Sequence, residues 1–319
     1  MKVLIADFDY ADVELERTIL EGAGLEVVEA RCRTEEDVIE AGTGASALLT
    51  QYAPITARVL AGLPELRMVG RYGVGYDIVD VEAARERGVW VANVPDYGTE
   101  EVAVHALAMA LGLLRHLPLY DRDVRGGRWH PVSTGPLYRL KNLTLGVVGL
   151  GRIGGTFALR ASPWFGRTLG CDPYLAEDAW PEGVQRASLE EVFSESAIVS
   201  LHTPLTSETR GFIERNLFGR MQEGSYLVNT ARGDLVVMED LLWALGEGPL
   251  AGAALDVLPQ EPPPPDHPLL GYPNVVLTPH AAFYSLEAEE EARRKSALNV
   301  VSWAQEGRPL YPVVEGRRS

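Results

Sequence analysis

The stretch Leu145-Gly146-Val147-Val148-Gly149-Leu150-Gly151-Arg152-Ile153-Gly154 reads as an apolar strand that passes through Gly-x-Gly-x-x-Gly into a helical pattern. A bare glycine pattern is weak, but a strand before it and a helix after it make it a dinucleotide turn. Gly149 permits the tight bend, Gly151 lets the backbone approach a pyrophosphate, and Gly154 allows the helix to pack closely on the strand. Arg152 and Ile153 open the helix, whose N-terminus faces the phosphates, and Arg152 is placed along the pyrophosphate. Asp172 closes the next apolar run 18 residues after Gly154, where a carboxylate accepts from ribose hydroxyls and repels a 2′-phosphate. The motif therefore predicts NAD(H) rather than NADP(H).

Outward from this turn, short apolar runs alternate with helical patterns, the signature of parallel sheets covered by helices. Strands are expected near residues 145–148, 168–171, 198–201, 226–229, 251–255 and 275–277, which suits a doubly wound dinucleotide sheet. An earlier block has strands near 2–6, 25–29, 47–50, 68–71 and 89–92, with helices at 11–21 and 80–87 that stop at glycines. Residues 99–117 read as a long helix into the second block, and 285–305 as a helix returning the chain to the first. The expected fold class is α/β, with two doubly wound parallel-sheet domains. Residues 1–98 and 288–319 form a discontinuous domain, and residues 99–287 form a Rossmann-type NAD domain. No repeat is apparent, and residues 262–265, four prolines, are a stiff loop.

The 319 residues carry 29 Lys plus Arg against 45 Asp plus Glu, a net charge of −16, which argues against nucleic-acid binding. The most apolar stretch, 102–114, is shorter than a membrane span and contains His105. The N-terminal residues read as a strand without a signal-peptide pattern, so a cytoplasmic location is expected. Cys32 and Cys171 lie far apart and suggest neither a disulfide framework nor a zinc site, and no metal motif is present.

Three further segments place polar groups just after apolar strands, the side on which open α/β sheets bind ligands. They are Asn229-Thr230-Ala231-Arg232-Gly233-Asp234, Asp256-Val257-Leu258-Pro259-Gln260-Glu261 and Thr278-Pro279-His280-Ala281-Ala282. Taken in order with the glycine turn, they resemble the D-isomer-specific 2-hydroxyacid dehydrogenase family over nearly the whole chain. Residues 280–285, together with 93–97 and 100–103, resemble the C-terminal-binding protein branch, which includes corepressors. Phe283 stands where that branch commonly has Trp.

The resemblance implies a flavodoxin-like substrate domain, an active-site cleft between the domains, and hydride transfer between a nicotinamide and C2 of a small 2-oxo or 2-hydroxy acid. Reduction builds negative charge on the carbonyl oxygen, so the site needs a proton donor and an orienting cation. His280 is the expected acid/base, Glu261 holds its other ring nitrogen and favours the imidazolium, and Arg232 binds substrate oxygens as a planar fork. By resemblance, Asp256 meets the nicotinamide carboxamide and Thr230 and Ala231 line the cofactor. Thr203, Pro204 and Thr209 wall its adenosine and phosphate region. The segment Arg71-Tyr72-Gly73-Val74-Gly75 is expected to cradle the substrate carboxylate, and Arg71, Tyr72 and Phe283 to shape specificity.

Other histidines read differently: His105 as half-buried packing, His116, His130 and His267 as surface or loop residues, and His202 as a possible cofactor neighbour. Competing functions are an NAD(H)-sensing corepressor-like protein, disfavoured by the intact triad and the near absence of tails, and a short phosphoglycerate dehydrogenase. Glu261 stands where the formate-oxidising branch has Gln, which argues for proton transfer. The family implies a homodimer built around residues 99–117 and the following arm.

Overall fold

The computed structural model describes residues 1–317; residues 318 and 319, the end of the tail assigned to the first domain, lie outside the described residues. The strands are β1 (Lys2–Ile5), β2 (Glu26–Glu29), β3 (Ala47–Thr50), β4 (Met68–Arg71), β5 (Trp90–Ala92), β6 (Thr144–Val148), β7 (Arg167–Cys171), β8 (Gln185–Arg186), β9 (Ile198–Leu201), β10 (Ser225–Asn229), β11 (Leu250–Leu255), β12 (Val275–Leu277) and β13 (Pro312–Val314). They build two sheets in two compact units, one of Met1–Gly98 plus the chain from Ser285 onward, the other of Thr99–Tyr284. The second division falls at Tyr284/Ser285 rather than 287/288, because the Ser285 hydroxyl accepts from Ala288 N–H at 3.0 Å and caps the terminal helix Leu286–Glu306.

In the first unit the sheet order is β13-β5-β4-β3-β1-β2. The first five strands pair in parallel in the flavodoxin-like order 2-1-3-4-5. Both faces are covered, with Leu4, Leu48, Val69 and Val91 in one core and Val3, Ile5, Leu49 and Met68 in the other. That two-sided burial is why these strands read as continuous apolar runs instead of alternating ones. The terminal helix belongs to this unit through Arg293, which donates to both oxygens of the fully buried Glu16 at 2.9 and 2.8 Å. β13 was not expected from the sequence. It runs antiparallel beside β5 at the sheet edge, a position that tolerates Pro312.

In the second unit the order is β12-β11-β10-β9-β6-β7-β8, all parallel. Counted from β6, this is the Rossmann order extended by one strand, and the topological switch point lies between β6 and β9. Leu145, Val147 and Val228 fill one side and Val199, Leu227 and Leu255 the other. β8, a two-residue exposed edge strand, carries no hydrophobic signal and was missed. The helix expected at 99–117 ends at Leu114, and a second helix, Leu117–Arg125, leaves at 58°. Pro118 follows the break, and His116 adopts φ 52 with its ring bonded to Thr134 Oγ1 at 3.1 Å and Tyr226 Oη at 2.8 Å. Among the described residues no single helix is long and apolar enough to cross a membrane.

Candidate active site

The glycine turn joins β6 to the helix Arg152–Ala161. Gly149 has φ +84, and a Cβ there would meet the His202 carbonyl at 2.8 Å; one on Gly154 would lie 1.9 Å from Gly149 O. Both positions exclude any side chain on steric grounds. A Cβ on Gly151, the N-cap of the helix, would meet nothing within 4 Å, so the backbone is open to a close ligand. Arg152 is exposed and Ile153 half-buried on the first turn. The Asp172 carboxylate accepts from Leu150 N–H at 2.8 Å, and from Tyr174 and Leu175 N–H at 3.0 and 3.2 Å. It therefore braces the glycine turn against the end of β7 as well as presenting its charge there.

The loop after β9 supplies Thr203, which donates to Val148 O at 3.3 Å, and Thr209, which donates to Pro204 O at 2.7 Å. His202 meets Ser200 Oγ through Nε2 at 2.9 Å and packs on Phe157, with ring centroids 4.8 Å apart. Burial pulls its pKa down to about 3, so the ring is neutral at pH 7. At the end of β10, Thr230 is 8% exposed and its Oγ1 is buried without an in-chain hydrogen-bond partner; Ala231 is half-buried beside it. A glycine cradle and an unsatisfied buried hydroxyl at the same end of one parallel sheet fit a dinucleotide.

The acid/base pair lies past β11 and β12. His280 Nδ1 is 2.7 Å from Glu261 Oε2, while Glu261 Oε1 accepts from Leu258 N–H at 2.8 Å. Burial tends to raise the Glu261 pKa. The hydrogen bond and charge of His280, the Leu258 N–H and the Arg232 charge outweigh that and hold it below its ordinary 4.5. The carboxylate is thus ionised at neutral pH, and its stabilising contribution fades only as pH falls through that lowered value. Because an ionised carboxylate can only accept, the proton between them sits on His280 Nδ1, and Nε2 remains to exchange a proton with a ligand. Arg232 is half-buried, with Nη1 donating to Ala231 O at 2.7 Å. Its main chain is fixed by Asn229, whose side chain donates to Arg232 O at 2.8 Å and accepts from Ala231 N–H at 3.0 Å. The Asn-Thr-Ala-Arg segment is thus a self-braced turn.

Asp256 is 2% exposed. Its Oδ1 accepts from Thr278 Oγ1 at 2.5 Å and Ala281 N–H at 2.8 Å, and its Oδ2 from Ala282 N–H at 2.9 Å. The Asp256 main-chain carbonyl also accepts from His280 N–H at 2.8 Å. His280 has φ 53, a left-handed conformation that costs an ordinary residue about 1–2 kcal/mol, and these bonds hold it there. Phe283 stands edge-on to the His280 ring, with centroids 6.5 Å apart.

In the first unit, the segment after β4 only partly matches expectation. Gly73 has φ +118, and a Cβ there would lie 1.9 Å from Arg71 Nη1, so the guanidinium folds over this glycine. Val74 O accepts from Asn93 Nδ2 at 2.6 Å, and Gly75 is half-buried. Tyr72, expected to shape specificity, instead points into the core. It is 3% exposed, stacked edge-on with Tyr10 at 5.5 Å, and its N–H is taken by Thr50 O at 3.0 Å. The strand register turns alternate residues inward, so Arg71 and Tyr72 cannot both face a ligand. Among the described residues no group of three His, Cys, Asp or Glu could hold a metal ion.

A Rossmann-ordered sheet, a glycine turn and a carboxylate-paired histidine define a dinucleotide-dependent oxidoreductase. Residues 107–282 match the family model for "D-isomer specific 2-hydroxyacid dehydrogenase, NAD binding domain". The chain is 44% identical over 255 residues to a glyoxylate reductase of Korarchaeum cryptofilum, covering 78% of this chain and 76% of that one. A D-3-phosphoglycerate dehydrogenase of Archaeoglobus fulgidus is 34% identical over 98% of this chain, which spans only 59% of that longer protein. Among solved structures, the D-lactate dehydrogenase of Aquifex aeolicus, complexed with NAD and lactic acid, superposes with a TM-score of 0.86. It is 28% identical over 97% of this chain and 98% of that one. The chain belongs to the D-isomer-specific 2-hydroxyacid dehydrogenase family. It is an NAD(H)-dependent oxidoreductase of 2-hydroxy acids.

His105 is half-buried as expected, and its Nε2 also lies 3.1 Å from Thr278 Oγ1, at the base of the His280 turn. The available signal was a lone polar side chain in the apolar run 102–114.

Proposed function

We propose that this enzyme reduces a small 2-oxo acid of the glyoxylate and hydroxypyruvate kind, with His280, Glu261 and Arg232 as its catalytic residues. The observation that carries this reading is the 2.7 Å His280–Glu261 pair, with the Arg232 charge close enough to act on it. Arg232 binds the carboxylate and carbonyl oxygens of the acid and so orients C2. The Gly149, Gly151 and Gly154 turn would hold the pyrophosphate of NADH and Asp172 its ribose, and the dinucleotide would supply the hydride when bound. As charge develops on the carbonyl oxygen, His280 Nε2 delivers the proton, and Glu261 stabilises the ring through Nδ1. In the oxidative direction His280 takes the same proton back. Asp256, Thr203, Pro204, Thr209, Thr230 and Ala231 complete the cofactor site in this reading.

The supporting relative is the Korarchaeum glyoxylate reductase, at 44% identity. Phosphoglycerate oxidation is the second reading, favoured by the Archaeoglobus relative. The corepressor-like reading rests on the resemblance of residues 280–285, 93–97 and 100–103. A panel of glyoxylate, hydroxypyruvate, pyruvate, phenylpyruvate and phosphohydroxypyruvate, followed by loss of NADH absorbance, decides among them. Turnover should be highest on the short unphosphorylated acids. A preference for the phosphorylated acid would favour the second reading, and NADH binding with no turnover on any acid would overturn the proposal. We assign the arm after the long helix to a homodimer interface, since Trp129, Val132 and Tyr138 are 85, 66 and 64% exposed. Light scattering should give two chains per particle; one chain would contradict this.

A further inference from the structure

His105 is the only polar side chain between Glu101 and Arg115, and it sits on the long helix Thr99–Leu114. Its Nε2 lies 3.1 Å from Thr278 Oγ1 and 3.9 Å from Asp256 Oδ1. The Thr278 hydroxyl has one hydrogen, and Asp256 Oδ1, 2.5 Å away, can only accept, so that hydrogen is committed to the carboxylate. Thr278 Oγ1 must then accept from His105, which fixes the His105 proton on Nε2. A three-member relay follows, from His105 Nε2–H through Thr278 Oγ1–H to Asp256 Oδ1.

The far end of the relay carries the catalytic turn. The N–H groups of Ala281 and Ala282 end on the Asp256 carboxylate, and that of His280 ends on the Asp256 carbonyl. Asp256 is almost fully buried, so water cannot replace a lost member. Helix and turn are far apart in sequence, and the hydrogen bond from His105 to Thr278 joins them.

We propose that His105 is a positioning residue for His280. By donating to Thr278 it fixes the hydroxyl that orients the Asp256 carboxylate, and the carboxylate sets the backbone from which His280 reaches the substrate. This inference rests on the reading of His280 as the acid/base. A site that must hold its proton donor to a fraction of an ångström is sensitive to such a loss.

The test is steady-state kinetics per NADH-binding site, counted by fluorescence titration, for His105→Leu, His105→Gln, Thr278→Val and the double variant His105→Leu/Thr278→Val. His105→Leu should lower kcat about tenfold through misplacement of His280. The KM for NADH should rise by a smaller factor than kcat falls, since the Asp256 carboxylate stays in place and only its orientation loosens. His105→Gln retains an amide donor and should recover most of the loss. The double variant should be no slower than the slower single variant, because both changes cut one relay. Unchanged kcat per binding site in His105→Leu, a Gln variant as slow as Leu, or additive losses would each overturn the proposal. A residue that only packs would alter the melting temperature and the number of NADH sites, but not kcat per site. His280→Ala is run alongside. If it keeps turnover, the acid/base reading itself fails; if it is inactive while His105→Leu is unimpaired, only the positioning role fails.

Discussion

Two turns leave strands of the same parallel sheet, and they solve one conformational problem in opposite ways. After β6 the chain bends through Gly149 at φ +84; after β12 it bends through His280 at φ 53. The glycine turn exists because side chains are missing, so that backbone packs on backbone and a ligand can approach. The histidine turn exists because a side chain elsewhere pulls on it, with three N–H groups gathered by Asp256. The first is specified mainly by its own glycines, with Asp172 bracing it, and the second by a tertiary tether. The first can be read from a motif, whereas the second needs the fold.

Breaking each turn at its own origin separates them. The largest effect is expected for Gly149→Ala, where the new Cβ would meet the His202 carbonyl at 2.8 Å in a conformation that already disfavours Ala. Backbone cannot yield as a flexible side chain would, and NADH binding followed by fluorescence should weaken about 100-fold or more, a loss of roughly 3 kcal/mol. Binding within about threefold of the parent enzyme would show that the turn is not the cradle proposed here.

A smaller and different effect is expected for Asp256→Asn. The amide places a donor against donors: whichever way it turns, either Ala282 N–H or the Thr278 and Ala281 donors lose their acceptor. An unsatisfied buried group costs about 1–3 kcal/mol, so the melting temperature and kcat should both fall while NADH affinity falls less than in Gly149→Ala. Unchanged kcat would detach the tether from catalysis.

The same contrast explains what was legible in the sequence. The two sheets were visible because both faces of their central strands are buried, which leaves runs such as Val3-Leu4-Ile5 and Leu145 to Val148 almost wholly apolar. β8 gives no signal because both of its residues are exposed, and β13 gives none because it is three residues long and opens on Pro312, although Val314 is buried. The long helix was read three residues too far because its apolar period runs past Leu114, while the break depends on the tertiary partners of His116, Thr134 and Tyr226. Within the site, the pairing of His280 with Glu261 followed from motif order. The inward turn of Tyr72 and the bond between His105 and Thr278 did not, because each depends on which side of a strand or helix faces a neighbour.

The central claim is that His280 moves the proton for hydride transfer to a 2-oxo acid. Its most direct test is His280→Ala assayed by NADH oxidation with glyoxylate or hydroxypyruvate, with NADH affinity measured on the same preparation. NADH binding should stay near-parental while turnover falls about 100-fold or more, the scale of a lost general acid. Turnover within about threefold of the parent, at equal NADH affinity, would contradict it.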